Sequence, residues 1–372
     1  MARLSIVMFP EPGHLLPTIR IATLVKAKGH TVTYLTIPGF SHLIERLGFH
    51  FRPILSHLVG PCHQQDPYNP HVPAAELWRR LAASIGVQGG SIRTLIRAAA
   101  PDTLVPQIAA TSPDVLLCDS KIVFACGDLI RPLCPSGLIA VSTELPLAPN
   151  PPCPELVMCP KELEIPDQRR AEPDRHYCEP SMPPNVSDTR IAYGGNADRA
   201  RLLLCSLGTQ SGSYADAPTL FQRILDGFAD DARWQVIIAA GSMANHQVFA
   251  SLPSNIAVYG TIPQQRLLSA ANVAILHGGL GGIKEAVMCR TPMVITPYVF
   301  DQHENAERVS HHGIGVTATG SESPGELHQM CEVLDRDSSV RGRLSTMATV
   351  FARMEALAPA ARTVQQRLEA AS

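Results

Sequence analysis

Short apolar runs alternate with helical patterns along the chain and fall into two series. Most runs contain β-branched residues, and each is followed by glycine, proline or a polar residue, as buried strands of a parallel sheet are. In the first half the predicted strands are residues 4–9, 31–37, 50–55, 115–118, 136–142 and, last, 156–159. In the second half they are residues 202–207, 235–240, 256–259, 273–276 and 293–296. Helical patterns between the strands, such as residues 15–28 and 121–130, predict doubly wound α/β sheets.

The length and a polar stretch between the two series predict two domains. A chain of 372 residues is long enough for two hydrophobic cores. Residues 181–199 contain prolines and a glycine pair but no apolar period, which is typical of a linker. We therefore expect domains at residues 1–185 and 201–345 around a linker at 186–200. The alanine-rich pattern of residues 341–368 predicts a C-terminal helix, which we assign from residue 346 to 372.

The most informative stretch runs from residue 272 to residue 308. A buried strand ends at His277, a glycine-rich turn follows, and a helix is expected from Gly282. The free N–H groups and positive dipole at such a helix N-terminus favour a phosphate. The turn holds Gly278, Gly279 and Gly281, but it fits the G-x-G-x-x-G pattern of dinucleotide-binding folds poorly.

Polar residues around this turn suggest a nucleotide sugar. His277 can donate a hydrogen bond to a pyrophosphate oxygen, and Glu285, one turn into the helix, can accept hydrogen bonds from ribose hydroxyls. Asp301 and Gln302, directly after the next strand, can exchange hydrogen bonds with the hydroxyls of a hexose.

The same stretch resembles the family 1 nucleotide-sugar-dependent glycosyltransferases, in particular bacterial enzymes of natural-product, macrolide and carotenoid type. The family pattern H-G-G-x-x-S-x-x-E-A, P-M-V-x-x-P and D-Q-x-x-N-A-x-R-V is matched at His277, Gly278, Gly279, Glu285, Ala286, Pro292, Met293, Val294, Pro297, Asp301, Gln302, Asn305, Ala306, Arg308 and Val309. One departure is Gly282, where the family usually has a serine that contacts phosphate. The resemblance implies the GT-B architecture: two Rossmann-like domains facing each other across a cleft. It also implies that the N-terminal domain binds the acceptor, the C-terminal domain binds the donor, and the last helix crosses back.

The resemblance extends to a general base in the first domain. His14 lies in the first strand-to-helix loop, where a lone histidine is commonly a cap or a surface residue. Family members carry a G-H pair in this loop, matched by Gly13 and His14, and that histidine deprotonates the acceptor. Asp119 follows a buried strand and matches the family's partner carboxylate. It could equally cap the following helix, and the two roles are compatible.

Further donor residues are implied in the second domain. Ser206, Gly208 and Thr209 match the S-L-G-T loop that lies against the donor phosphates and sugar. Gln264 stands in a segment similar to the family's V-P-Q, which packs on the nucleobase, although an ordinary loop would have the same sequence.

Composition narrows the functional classes. The net charge is −2 and only 5% of residues are aromatic, so neither a basic surface nor a stacking platform for nucleic acid is expected. The first apolar run breaks at Pro10, unlike a secretion signal, and no run approaches the roughly 20 residues of a membrane span. The ten cysteines form no C-x-x-C pair. We expect a cytoplasmic, metal-independent monomer or homodimer without a cofactor.

The resulting hypothesis is an inverting glycosyltransferase of secondary-metabolite or antibiotic biosynthesis. It would move a hexose, with UDP-glucose as the expected donor, to a hydroxyl of a small lipophilic natural product. Four alternatives remain: a TDP-deoxysugar-dependent transferase, a nucleotide-sugar epimerase, a nicotinamide dehydrogenase and a non-catalytic nucleotide-sugar-binding subunit. The sequence does not identify the acceptor, the regiochemistry or the glycosylated atom.

Overall fold

The computed structural model describes residues 1–59, 74–87, 91–134, 137–145, 151–166, 174–182, 191, 201–229 and 231–371. The chain forms two compact units. The first consists of Met1–Pro160, Arg170–Pro184 and Met354–Ser372, and the second of Lys161–Arg169 and Asn185–Arg353.

The first unit is built on a parallel sheet of seven strands. They are β1 Arg3–Val7, β2 Thr31–Thr36, β3 His50–Pro53, β4 Val115–Asp119, β5 Leu138–Ser142, β6 Glu155–Val157 and β7 Arg175–Tyr177, in the order β3-β2-β1-β4-β5-β6-β7. Its helices are α1 Pro12–Leu15, α2 Ile19–Ala27, α3 Ser41–Arg46, α4 Ala74–Ser84, α5 Ile92–Thr103, α6 Val105–Thr111 and α7 Ser120–Ile130. The central strands β1, β4 and β5 are almost wholly buried, because helices and loops cover both faces of a parallel sheet.

The second unit has a parallel sheet of six strands. They are β8 Arg201–Ser206, β9 Trp234–Ala239, β10 Ile256–Tyr259, β11 Val273–Leu276, β12 Met293–Ile295 and β13 Gly315–Thr317, in the order β10-β9-β8-β11-β12-β13. Its helices are α8 Ala217–Phe228, α9 Gln264–Ala270, α10 Leu280–Cys289, α11 Gln302–His311, α12 Pro324–Arg336 and most of α13 Ser338–Leu357, which continues past the last residue of this unit, Arg353. The prediction of two doubly wound parallel sheets is thus confirmed.

The last helix, α14 Pro359–Ala370, is anchored within the first unit. The buried carboxylate of Glu179 accepts hydrogen bonds from the backbone N–H groups of Ala360, at 2.8 Å, and Ala361, at 3.4 Å. These are orphan donors of the first helical turn, so Glu179 serves as a cap contributed from a distant part of the chain. Burial raises the pKa of this carboxyl group, although the two N–H groups oppose the shift.

Several predicted elements differ from those in the structure. Strand 156–159 is not the last of its sheet, because β7 pairs beyond it, and β13 was also missed. Both have only three residues at a sheet edge, too few for a period-2 pattern. Helix α10 begins at Leu280 rather than at Gly282. The single helix expected over residues 341–368 is two helices, since Ala358 is left-handed with φ of 44° and Pro359 starts a new helix.

No helix in the described ranges is both long and apolar enough to cross a membrane. Nine of the ten cysteines lie in those ranges; all nine are free, and eight are buried.

Candidate functional site

The fold brings His14 and Asp119 together at the carboxyl edge of the first sheet. His14 lies in α1, shortly after the end of β1, and Asp119 is the last residue of the neighbouring strand β4. The strands pair with Val7 beside Cys118, so the segments after them emerge side by side. Nδ1 of His14 is 2.7 Å from Oδ2 of Asp119, and the two residues are only 7% and 1% exposed.

Asp119 also caps the helix that comes after it. Its Oδ1 accepts a hydrogen bond of 2.9 Å from the backbone N–H of Lys121, while Oδ2 accepts one of 3.4 Å from the backbone N–H of Phe9. The cap and the contact to His14 therefore coexist. The backbone bonds fix the carboxylate, so it presents the same oxygen to the imidazole in every molecule.

The carboxylate determines which nitrogen of His14 can act as a base. An ionised carboxylate only accepts hydrogen bonds, so Nδ1 carries the hydrogen and Nε2 of the neutral ring has a free lone pair. Burial alone lowers the pKa of His14, but the charge and hydrogen bond of Asp119, aided by Glu144, raise it overall. Burial likewise raises the pKa of Asp119, but His14 and Lys121 lower it overall.

Two residues at this site were not predicted from the sequence. Thr143 and Glu144 come directly after β5, at the same sheet edge. The Thr143 hydroxyl oxygen is 3.0 Å from Nδ1 of His14, and Oε1 of Glu144 is 3.7 Å from Nε2. Their position after a buried strand was the available signal, the same one that points to Asp119.

An aromatic row borders the imidazole on its apolar side. The ring centroid of Phe9 is 5.1 Å from that of His14 and 4.8 Å from that of Trp78. Trp78 is 8% exposed, and its indole N–H has no partner among the described residues. It lines a small apolar cavity of about 30 Å³, which has room for a water molecule rather than for a substrate ring.

In the second unit, two glycines enclose the imidazole of His277. A β-carbon at Gly208 would lie 2.6 Å from Cε1 of the ring, and one at Gly279 would collide with Nε2. Nδ1 is buried without a hydrogen-bond partner among the described residues. Burial lowers the pKa of His277 to about 4, so the ring is neutral near pH 7.

The turn after His277 leads into α10, whose N-terminus is the predicted anion site. Gly278 has φ of +90°, a conformation that suits glycine, and Asn305 donates a 2.9 Å hydrogen bond to its carbonyl. Space for a β-carbon is open at Gly281, and at Gly282 the nearest atom is Cδ1 of Leu276 at 3.9 Å. The N-cap residue of this helix, Gly279, provides no side-chain hydrogen bond to its first N–H groups.

Three of the predicted donor residues are joined by hydrogen bonds. The Ser206 hydroxyl donates to Oε1 of Gln264 at 2.7 Å, and Nε2 of Gln264 donates to Glu285. Gln265 donates to the other oxygen of Glu285 at 3.2 Å. Burial raises the pKa of Glu285, while the two amides oppose the shift. Gln264 thus positions Glu285, and the packing of its loop on the nucleobase stays a prediction.

The side chain of Gln302 forms hydrogen bonds within the second unit that the sequence did not predict. Its carbonyl oxygen accepts hydrogen bonds from the backbone N–H groups of Tyr298, at 2.8 Å, and Val299, at 3.1 Å, and its amide donates to the Tyr214 hydroxyl at 3.0 Å. The residue is 3% exposed. Its predicted hydrogen bonds to hexose hydroxyls would compete with these contacts.

The other members of the predicted donor set are more accessible. Asp301 is partly exposed at the start of α11, and one of its oxygens accepts a 2.8 Å hydrogen bond from Asn305. Thr209 is exposed directly after Gly208.

One group of side chains in the second unit has metal-ligand chemistry. Asp231, His328 and Glu332 bring ligand atoms within 4.8 Å of one another. Arginines pair with both carboxylates: Arg233 with Asp231 at 2.7 Å, and Arg201 with Glu332 at 2.9 Å. The group is an ion-pair network and includes none of the predicted site residues.

The chain is similar to several known proteins. Residues 223–370 match the family described as "Erythromycin biosynthesis protein CIII-like, C-terminal domain". The chain is 24% identical to the NDP-glycosyltransferase YjiC of Bacillus subtilis, covering 92% of each protein. It is also 24% identical to the oleandomycin glycosyltransferase of Streptomyces antibioticus, covering 99% of this chain and 91% of the relative. The crystal structure of the kitacinnamycin glycotransferase superposes with a TM-score of 0.74 at 22% identity, over 99% of both chains.

Proposed function

This chain belongs to the family 1 glycosyltransferases of natural-product type, and we propose that it transfers a hexose, with inversion, from a nucleoside diphosphate to a hydroxyl group of a small lipophilic acceptor. The nucleotide sugar is a co-substrate, and no further cofactor takes part. The observation that carries the proposal is the buried contact of 2.7 Å between His14 and Asp119.

The first unit supplies the base. Nε2 of neutral His14 accepts the proton of the acceptor hydroxyl as its oxygen attacks the anomeric carbon. The bond between that carbon and the diphosphate oxygen breaks, and the nucleoside diphosphate leaves from the opposite face. Asp119 holds Nδ1–H and stabilises the imidazolium that forms. A non-catalytic subunit has no use for a base held in this way, and an epimerase would need further acid/base groups near the sugar.

The second unit holds the donor. Negative charge grows on the pyrophosphate during transfer, and His277, the turn from Gly278 to Gly282 and the N-terminus of α10 supply donors and a positive dipole for it. Ser206, Gly208 and Thr209 form the neighbouring loop. Because these groups stabilise the leaving diphosphate themselves, we propose that transfer needs no divalent metal.

We propose UDP-glucose as the donor, with Asp301 accepting hydrogen bonds from the sugar hydroxyls. One observation favours a TDP-deoxysugar instead: the Gln302 side chain already bonds Tyr298, Val299 and Tyr214. A sugar with fewer hydroxyls would need fewer contacts from this pair. For the acceptor, the similarity to a glycosyltransferase named for oleandomycin supports a lipophilic natural product.

Nucleotide binding followed by turnover tests the proposal. Thermal stabilisation is measured with UDP, TDP, GDP and NAD, and UDP release from UDP-glucose is then monitored with and without pooled lipophilic acceptors. The proposal predicts stabilisation by UDP and release that depends on acceptor. Stabilisation by TDP alone would assign the deoxysugar alternative, and stabilisation by none of the four would contradict a nucleotide-sugar site.

A further inference from the structure

An ion pair lies against the open side of the His14 imidazole. Nζ of Lys121 donates to Oε1 of Glu144 at 2.6 Å, and the same oxygen is 3.7 Å from Nε2 of His14. Lys121 also lies over the Phe9 ring, 5.3 Å from its centroid. The lysine and the aromatic ring thus restrict where the Glu144 carboxylate can go. Both charged side chains remain about a third exposed.

Charged side chains from three elements lie near His14, two of them negative and one positive. Asp119, at the end of β4, is negative and contacts Nδ1, and Glu144, after β5, is negative and faces Nε2. Lys121, in the first turn of α7, is positive and bonds Glu144. Glu11, in the loop after β1, acts on Lys121 rather than directly on His14. The uncharged neighbours are Thr143 and Phe9.

We propose that Glu144, held by Lys121, is a positioning residue that controls the charge of His14 from the side on which the proton arrives. The mechanistic meaning of this control rests on the proposed function. When the acceptor proton reaches Nε2, the new N–H lies beside the Glu144 carboxylate, which stabilises the imidazolium as Asp119 does from Nδ1. Glu144 thereby strengthens the base, and Lys121 limits the effect so that part of His14 remains neutral near pH 7.

The two halves of the ion pair must act on His14 in opposite directions. Removing the negative charge of Glu144 disfavours imidazolium and lowers the pKa of His14. Removing the positive charge of Lys121 has the reverse effect. The backbone N–H of Lys121 donates to the Asp119 cap whichever side chain is present at residue 121, so a substitution there leaves this contact of Asp119 intact. A purely structural role would not produce shifts of opposite sign.

The direct test is an NMR titration of His14 in the full-length protein labelled at histidine, with the signal assigned by its loss in His14→Gln. We expect Glu144→Gln to lower the pKa of His14 by about one unit, and Lys121→Met to raise it by a similar amount. The double variant should return close to wild type. Glu45→Gln removes one negative charge from the exposed side of α3 and serves as the matched control. An unchanged His14 titration in both single variants would overturn the proposal.

The pH dependence of kcat/KM separates this proposal from the function on which it rests. If His14 is the base, the apparent pKa of the acid limb falls in Glu144→Gln and rises in Lys121→Met, by the same amounts as the pKa of His14 measured by NMR. Glu144→Asp should bring the apparent pKa of this limb most of the way back to the wild-type value. Shifts in the NMR titration without a matching change in the acid limb would support the electrostatic control and contradict His14 as the base.

Discussion

Gly208 lies against the imidazole of His277, so closely that a β-carbon at residue 208 would stand 2.6 Å from Cε1 of the ring. Gly208 also has φ of +72°, which side chains other than glycine rarely adopt. The glycine of the loop after β8 therefore has a role in packing, because it leaves space for the imidazole of His277.

We expect Gly208→Ala to displace His277 and weaken UDP binding. The left-handed backbone adds a cost of about 1–2 kcal/mol to the free energy of folding. Calorimetry with UDP and urea unfolding measure the two effects. Gly320→Ala is the matched control, because Gly320 also has a positive φ, of +84°, but no atom lies within 4 Å of its added β-carbon. Equal UDP affinity in wild type and Gly208→Ala would show that the position of His277 does not depend on this glycine.

Gly282→Ser tests whether a phosphate lies at the start of α10. The added β-carbon meets only Leu276, at 3.9 Å, so the variant should fold normally. Its hydroxyl can donate to a phosphate oxygen, and hydrogen bonds to charged groups contribute about 1.5 kcal/mol or more, so we expect UDP to bind roughly tenfold more tightly. Binding that does not change would place the phosphate elsewhere.

Gln302→Ala should mainly lower stability, whereas Asp301→Ala should mainly lower the affinity for the sugar donor. Without Gln302, the N–H groups of Tyr298 and Val299 lose their acceptor, and we expect a loss of about 1–3 kcal/mol in the free energy of unfolding. The affinities for UDP and UDP-glucose should then fall together. Asp301→Ala should weaken UDP-glucose more than UDP, since its carboxylate is expected to contact the sugar. A preferential loss of UDP-glucose in Gln302→Ala would instead restore this side chain to the sugar site.

The low pKa of His277 makes stability depend on pH. Below the unfolded pKa of 6.5 the unfolded chain binds a proton, whereas the folded protein does so only near pH 4. The contribution of His277 to the free energy of unfolding is therefore fully present above pH 6.5 and is lost as the pH falls toward 4. Between about pH 7.5 and pH 5 the loss due to this group is about 2 kcal/mol. Urea unfolding at both values should show a smaller loss for His277→Gln. The same pH dependence in both proteins would mean that folding does not shift the pKa of His277.

A structural feature could be predicted from the sequence where its pattern lies within a short stretch of the chain. The central strands were predicted because a short apolar run such as Val273–Leu276 is itself the pattern typical of a buried strand. His14 and Asp119 were predicted because their segments resemble those of the family, and because both follow buried strands whose carboxyl ends lie at one edge of a parallel sheet. Thr143 and Glu144 obey the same rule, but they precede a proline-rich segment and look like an ordinary turn.

Other features depend on contacts that leave no local pattern. The inward orientation of Gln302 is fixed by backbone N–H groups three and four residues before it and by Tyr214, which is 88 residues away in the sequence. Glu179 caps a helix 181 residues downstream. Neither partner can be recognised from spacing or composition, because each contact exists only once the surrounding unit has folded.

The most direct test of the central claim compares His14→Ala with wild type in two assays, UDP release from UDP-glucose with acceptor and equilibrium binding of UDP. We predict that transfer falls by about 10²–10⁴-fold, because a positioned general base contributes that much. UDP affinity should stay within about twofold, since the donor residues lie in the second unit and direct contacts are needed for larger changes. Wild-type turnover in the variant would contradict the assignment of His14 as the base.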